Sequence, residues 1–108
     1  MSYRRFIISV TGSPELSSWI HSLPQGELKK KIQGMIDTLK ERPFAGDYVR
    51  RELWPQTYIA MGLQNLYRFE VDKGLRAMYS VKRDGLNVEV KIIEFFATHK
   101  EYEKRFGY

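Results

Sequence analysis

The chain contains no cysteine. That excludes disulfides, thiolate metal sites and a cysteine nucleophile together, and it fits a reducing compartment such as the cytoplasm. Histidine occurs only at His21 and His99. The two are far apart, with no tight carboxylate cluster, so they write no metal-ligand set and no cofactor is expected. No apolar run approaches the roughly 20 residues that a membrane-spanning helix needs. The apolar stretch after Arg4 and Arg5 is shorter than a secretory leader and has no small-residue cleavage site after it, so it reads as a first strand. A phosphate-binding glycine loop, a nucleophile elbow and a metalloprotease motif are all missing, which disfavours a serine hydrolase. Repeats, linkers and low-complexity stretches are missing too.

What is present is an ordinary globular composition. The 108 residues are 43% hydrophobic and 29% charged, which predicts one domain over 1–108. Lysine and arginine total 18 against 13 acids, a net charge of +5. Such an excess suits a polyanionic ligand, because each phosphate contact releases counterions. It is spread evenly: residues 1–65 hold 9 basic and 6 acidic side chains, residues 66–108 hold 9 and 7. A binding surface must therefore be assembled by folding.

The periodicities predict the order β-α-α-β-β-β. Tyr3 to Val10 is rich in aromatic and β-branched residues and reads as a strand. Ser13 suits a helix N-cap, Pro14 the first helical position and Glu15 the first turn. Leu16, Trp19, Ile20 and Leu23 then form a helical stripe, which Pro24-Gln25-Gly26 breaks. A second helix over Glu27 to Arg42 carries Leu28, Ile32, Met35, Ile36 and Leu39 on one face, and the short break predicts an antiparallel helical hairpin. After Pro43 the period changes. Tyr48 to Leu53 and Tyr58 to Leu63 read as strands. In Leu66 to Val71, Tyr67, Phe69 and Val71 alternate with Arg68 and Glu70. Asp72-Lys73-Gly74 turns the chain, Leu75 to Val81 alternates again, and Arg83-Asp84-Gly85 turns it back. Val88 to Phe96 is a long apolar strand, expected at the sheet centre. Thr98 suits the cap of a short C-terminal helix to Lys104. The fold class is α+β: a helical hairpin on one face of a twisted antiparallel sheet of about four strands. The other face is expected to be polar and basic, with Arg68, Glu70, Arg76, Met78 and Ser80.

Several residues could carry chemistry. His99 follows the long strand, where an imidazole can act as general acid or base or simply stand in water; His21 reads as a surface residue. Arg76 interrupts an apolar strand, so it either pairs with Glu70 or offers its planar fork to a phosphate, with Arg68 beside it. Tyr102, three residues past His99, shares its face if both begin a helix. Lys29, Lys30 and Lys31 form a solvated helix face or a backbone contact to nucleic acid, and Arg50-Arg51-Glu52 is similar. Trp54 and Tyr58 read as core or loop anchors.

Three stretches resemble the RelE/ParE superfamily of toxin–antitoxin systems. Arg42-Pro43-Phe44-Ala45-Gly46 is similar to the Pro-Phe-x-Gly after the second helix of YoeB-like members. Leu66-Tyr67-Arg68-Phe69-Glu70-Val71 and Gly74-Leu75-Arg76-Ala77-Met78-Tyr79-Ser80-Val81 resemble the family's paired strands. Ile92 to Tyr102 resembles its final strand, which ends in a histidine or basic residue with a tyrosine beyond. The resemblance implies a RelE-like fold and a ribosome-dependent, metal-independent endoribonuclease that inhibits translation. In that chemistry the messenger RNA's 2′-hydroxyl attacks the adjacent phosphate and the 5′-oxygen leaves. It implies that Arg76 stabilises the charged phosphate, that His99 serves as acid or base, and that Tyr102 stacks on a base or assists proton transfer. It also implies that Arg68 helps hold the RNA backbone, and Lys29, Lys30, Arg50, Arg51 and Lys100 are the further RNA contacts expected from the residues themselves. Glu70 stands where some members carry a second lysine, and Glu52 is displaced by one residue from the YoeB-like carboxylate, so the general base is either Glu52, Glu70 or neither. The implied partners are an antitoxin, the ribosome and messenger RNA, for a cytoplasmic monomer or homodimer that engages no membrane. Two other readings share the fold: a ParE-like inhibitor of DNA gyrase, and a non-catalytic RNA- or protein-binding module.

Overall fold

The computed structural model describes residues 6–96. The expected C-terminal helix, with His99, Lys100 and Tyr102, lies outside the described residues, as does the strand start at Tyr3. Strand β1 is Ile7–Gly12 and leads into helix α1, Pro14–Ser22. The Ser13 hydroxyl accepts from the Leu16 N–H at 3.1 Å and Pro14 opens the helix, as the sequence predicts. Helix α2, Glu27–Glu41, follows. It buries Ile32, Met35 and Leu39, one stripe at helical spacing. The Lys29 ammonium reaches the carbonyls of His21 and Leu23 at the end of α1. Lys31 pairs with Asp72 at 2.6 Å, tying α2 to the sheet, and the hydrogen bond from its ammonium holds the Asp72 carboxyl below the usual range.

The segment after α2 departs from the expected strands. Strand β2 is only Asp47–Tyr48; a single 3₁₀ turn covers Arg51–Leu53 and helix α3 covers Gln56–Ala60. The backbone bonds here close locally instead of joining a ladder, the Leu53 N–H on the Arg50 carbonyl and the Tyr58 N–H on the Pro55 carbonyl, with Pro55 at the N-cap of α3. Trp54, Tyr58 and Ile59 then fall at helical spacing and turn to one side, and Gly62, with φ of 70°, ends the helix in the left-handed region. Strands β3 (Tyr67–Asp72), β4 (Leu75–Asp84) and β5 (Asn87–Phe96) complete the chain, joined through Gly74 and Gly85, both at positive φ.

The sheet has five strands in the order β1-β5-β4-β3-β2. It is mixed, which corrects the expected four-stranded antiparallel sheet. β1 runs parallel to β5, with Ile8 beside Val88 and Val10 beside Val90, and the other pairs are antiparallel. The middle strand is β4, while the long apolar β5 lies next to it. One face carries Ala77, Tyr79, Val81, Val88, Val90 and Ile92 and packs on Met35 and Leu39 of α2, with Leu16 of α1 at its margin.

The other face is not wholly polar, a second correction. Met78 is fully buried and Ser80 is only 8% exposed. A second core of Val49, Trp54, Tyr58, Leu66, Met78 and Phe96 covers it. The segment from Val49 to Leu66 thus forms a flap across this end of the sheet. It is held by the Val49 N–H on the Leu66 carbonyl and by the Trp54 indole N–H on the Val49 carbonyl, both at 2.9 Å. Asn65 extends the sheet past the start of β3: its amide accepts from the Val81 N–H and donates to the Val81 carbonyl, as a neighbouring strand would.

Candidate functional site

Ladder register decides which charged side chains meet. Directly opposed residues of an antiparallel pair share a face. Arg68 stands opposite Met78, and Met78 opposite Glu94. One step along, Glu70 stands opposite Arg76, and Arg76 opposite Phe96. Two rows therefore cross β3, β4 and β5 on the flap-bearing face: Arg68–Met78–Glu94 and Glu70–Arg76–Phe96. Asp47 of β2 extends the first row, and its carboxylate accepts from the Arg68 guanidinium at 3.1 Å. Two arginines and two glutamates alternate around a buried methionine.

Arg76 is the centre of this pattern. It is half-buried, and its Nη1 lies 3.5 Å from the Gly74 carbonyl. Glu70, exposed, is directly across from it on β3. Glu94 is a diagonal neighbour on β5, about 7–8 Å away between backbones. The Tyr58 hydroxyl, on a side chain 2% exposed, reaches down from the flap and donates to Glu94 Oε1. A register shift between Met78 and Tyr79 makes this geometry. Ile92 belongs to the helix-side core, whereas Ile93 packs against the flap core and Glu94 comes to lie opposite Met78. A bulge re-aims side chains in this way.

The flap also carries Arg50, Arg51 and Glu52, all exposed. The Arg51 guanidinium sits 5.3 Å from the centre of the Trp54 ring, a cation–π contact. Arg50, Arg51, Arg68 and Arg76 therefore belong to one side of the sheet. Lys29 and Lys30 do not join them. They lie on α2, across the sheet, where Lys29 is half-buried over the end of α1 and Lys30 is exposed. His99, Tyr102 and Lys100 lie outside the described residues. Phe96, the last described residue, is the ladder partner of Arg76.

Tyr58 is a core anchor of the flap, as the sequence suggested, and its partner Glu94 was not singled out there. Glu94 carried a usable signal, being the one charge inside Ile92-Ile93-Glu94-Phe95-Phe96. A charge in a strand this apolar is held by a partner. The partner was not visible, because Tyr58 is 36 residues away in a stretch that reads as a strand. Among the described residues no group of three or more His, Cys, Asp or Glu side chains is arranged to hold a metal ion, and no helix is long and apolar enough to cross a membrane. The site offers half-buried guanidinium donors, which fit a phosphate, next to carboxylates that can accept a proton. No family model, curated protein or solved structure matches the chain.

Proposed function

We propose that this protein is a RelE-like toxin: a ribosome-dependent endoribonuclease that cleaves messenger RNA without a metal and is neutralised by a partner antitoxin in the cytoplasm. The observation that carries this reading is the row Glu70–Arg76–Phe96. It puts a guanidinium on a rigid strand, flanked by a carboxylate, at the point from which the chain continues to His99. His99 is three positions past Phe96 in the sequence, a reach of at most about 11 Å. That chain distance is short enough for His99 to serve a phosphate held by Arg76.

The chemistry follows from these groups. The 2′-hydroxyl loses its proton to a base and its oxygen bonds to the adjacent phosphorus. The P–O5′ bond breaks, and the leaving oxygen takes a proton from an acid. Arg76 meets the negative charge that builds on the phosphorane, the kind of stabilisation worth most in a partly dehydrated site. His99 supplies the leaving-group proton, since its ordinary pKa lies near neutrality. Arg68, Arg50 and Arg51 hold the backbone on either side, and Tyr102 stacks on a base. Lys29 and Lys30, across the sheet, take no part in this pocket and are left for ribosomal contacts.

The experiment is cleavage of messenger RNA on programmed ribosomes, with transcript ends mapped. The protein is expected to cut in the A site, and His99→Ala to slow the cut by about 100-fold or more. The second reading, a non-catalytic RNA-binding member, is favoured by one observation: carboxylates flank both arginines, Asp47 at Arg68 and Glu70 at Arg76. Ribosome binding with intact transcripts would favour it, and trapped gyrase–DNA complexes would point instead to a ParE-like inhibitor.

A further inference from the structure

We infer that the outer edge of β1 pairs with the same edge of a second copy of this chain, joining two sheets into one; the inference stands apart from the nuclease reading. β1 is the outermost strand beside β5, and no strand of the described residues lies on its other side. Such an edge offers N–H and C=O groups to another strand, and natural edges are commonly blunted by brevity, charge or proline. The opposite edge, β2, is two residues long and carries Asp47. β1 has none of these devices: its six residues, Ile-Ile-Ser-Val-Thr-Gly, include no charge and no proline. Ile7 is 67% exposed, the most exposed large hydrophobic side chain among the described residues.

The backbone fixes how two such edges meet. The Ile7 N–H donates to the Leu86 carbonyl at 2.8 Å, so Ile7, Ser9 and Thr11 turn their backbone groups toward β5. Those of Ile8 and Val10 point to the open side. An antiparallel two-fold about Ser9 sets Ile8 opposite the second copy's Val10, and each such pair exchanges both N–H···O bonds. It also sets Ile7 opposite Thr11, and Ser9 opposite itself. Opposed residues share a face, so Ile8 and Val10, each half-buried against the helix-side core, meet on that side. Moving the two-fold to Val10 would put Ile8 against Gly12 and lose that contact. A cleft of about 90 Å³ beside Val10 is lined by Leu16, Ile20 and Ile36, and the second copy's Ile8 arrives next to it. Within the paired strands no charge faces a like charge. The flap-bearing faces of both copies then look the same way, with Arg68 and Arg76 of each on one side of the joined sheet.

The test is the solution mass of the full chain by sedimentation, from roughly 1 to 500 µM, together with single-cysteine variants. The paired strands cover less than a standard interface, so dissociation is expected on the order of 10–100 µM. The chain has no cysteine of its own, so Ser9→Cys carries a lone thiol. Ser9 is exposed and falls in a non-hydrogen-bonded pair, where opposed Cα atoms lie about 4.5 Å apart, within disulfide range. Mild oxidation is expected to join Ser9→Cys into a covalent dimer. It is expected to leave Thr11→Cys unjoined, since its copies lie roughly 14 Å apart in this register. Ser9→Lys sets two ammonium groups face to face and is expected to weaken association about fivefold, with the thermal midpoint unchanged. Mixing it with Ser9→Glu is expected to restore association. A parent that keeps its 12.8 kDa monomer mass across the range overturns the inference and leaves this edge to a strand from another protein. A dimer in which Ser9→Cys stays unjoined, or Thr11→Cys joins equally well, also overturns it by placing the contact elsewhere. Should Ser9→Cys fail to fold, the mixture of Ser9→Lys and Ser9→Glu decides, and no gain on mixing overturns the pairing.

Discussion

Tyr79 and Gly46 show how much a single close approach can hold. Tyr79 is fully buried and stacks on Tyr67 with ring centres 5.4 Å apart. Its hydroxyl oxygen accepts from the Gly46 N–H at 2.8 Å, which fastens the loop after α2 to the middle strand. Burial pushes its phenol up to about 12. The fold thus favours the neutral form, so Tyr79 contributes full stability below the ordinary value near 10 and loses it as pH rises toward 12. Stability measured by urea unfolding should therefore decline between pH 10 and 12, and Tyr79→Phe should show a shallower decline. At neutral pH the same variant leaves the Gly46 N–H without its acceptor, at a cost of about 1–3 kcal/mol. An alkaline decline as steep in Tyr79→Phe as in the parent would contradict this. At Gly46 a Cβ would lie 2.7 Å from the Arg68 carbonyl oxygen and 2.8 Å from the Tyr79 hydroxyl. Gly46→Ala should cost about 1–3 kcal/mol through overpacking, read from the same unfolding curves. Alternation along Leu75 to Val81 marked Tyr79 as an inward residue. Its bond to Gly46 spans 33 residues and leaves no local trace.

Among the elements, the flap over Val49 to Leu66 has the largest consequence for the site, and it was the least legible. Its aromatic and β-branched content imitates strands, because burial selects the same residue types in a short helix packed on a sheet. The regular elements were easier: α1 and α2 announce themselves through Ser13, Pro14 and the Ile32–Met35–Leu39 stripe, and the β3–β4–β5 meander through its turns and period of two. Pro55 falls between the two expected strands, so its missing N–H spoke against neither. Trp54 anchors the flap with its ring in the second core and its N–H on Val49. Trp54→Ala should cost about 3–5 kcal/mol. Amide exchange should then speed up over residues 49–66 before it does in β4 and β5. Uniform acceleration through the sheet would show that the flap does not open as a unit. Asn65→Ala removes both bonds to the Val81 backbone. It should destabilise by about 1–3 kcal/mol.

At the scale of the whole molecule, the α+β class followed from element order, but the sheet's outer arrangement did not. β1 and β5 are paired in parallel across nearly the whole chain, Ile7 beside Asn87. Nothing local to either strand names so distant a neighbour. The same register rules place Arg68, Arg76, Glu70 and Glu94 on one face and leave Lys29 and Lys30 across the sheet. The basic balance of the whole chain, +5, therefore acts from two sides. Ribosome affinity should fall with added salt, and charge-neutral variants of Arg50 and Arg51 should flatten that dependence. Arg76→Ala tests the central claim most directly, because Arg76 has a guanidinium between Glu70 and the strand end and belongs to neither buried core. On programmed ribosomes the account predicts that this variant binds and folds as the parent does, yet cuts messenger RNA at least about 100-fold more slowly. Cleavage at the parent's rate by a folded Arg76→Ala protein would contradict it.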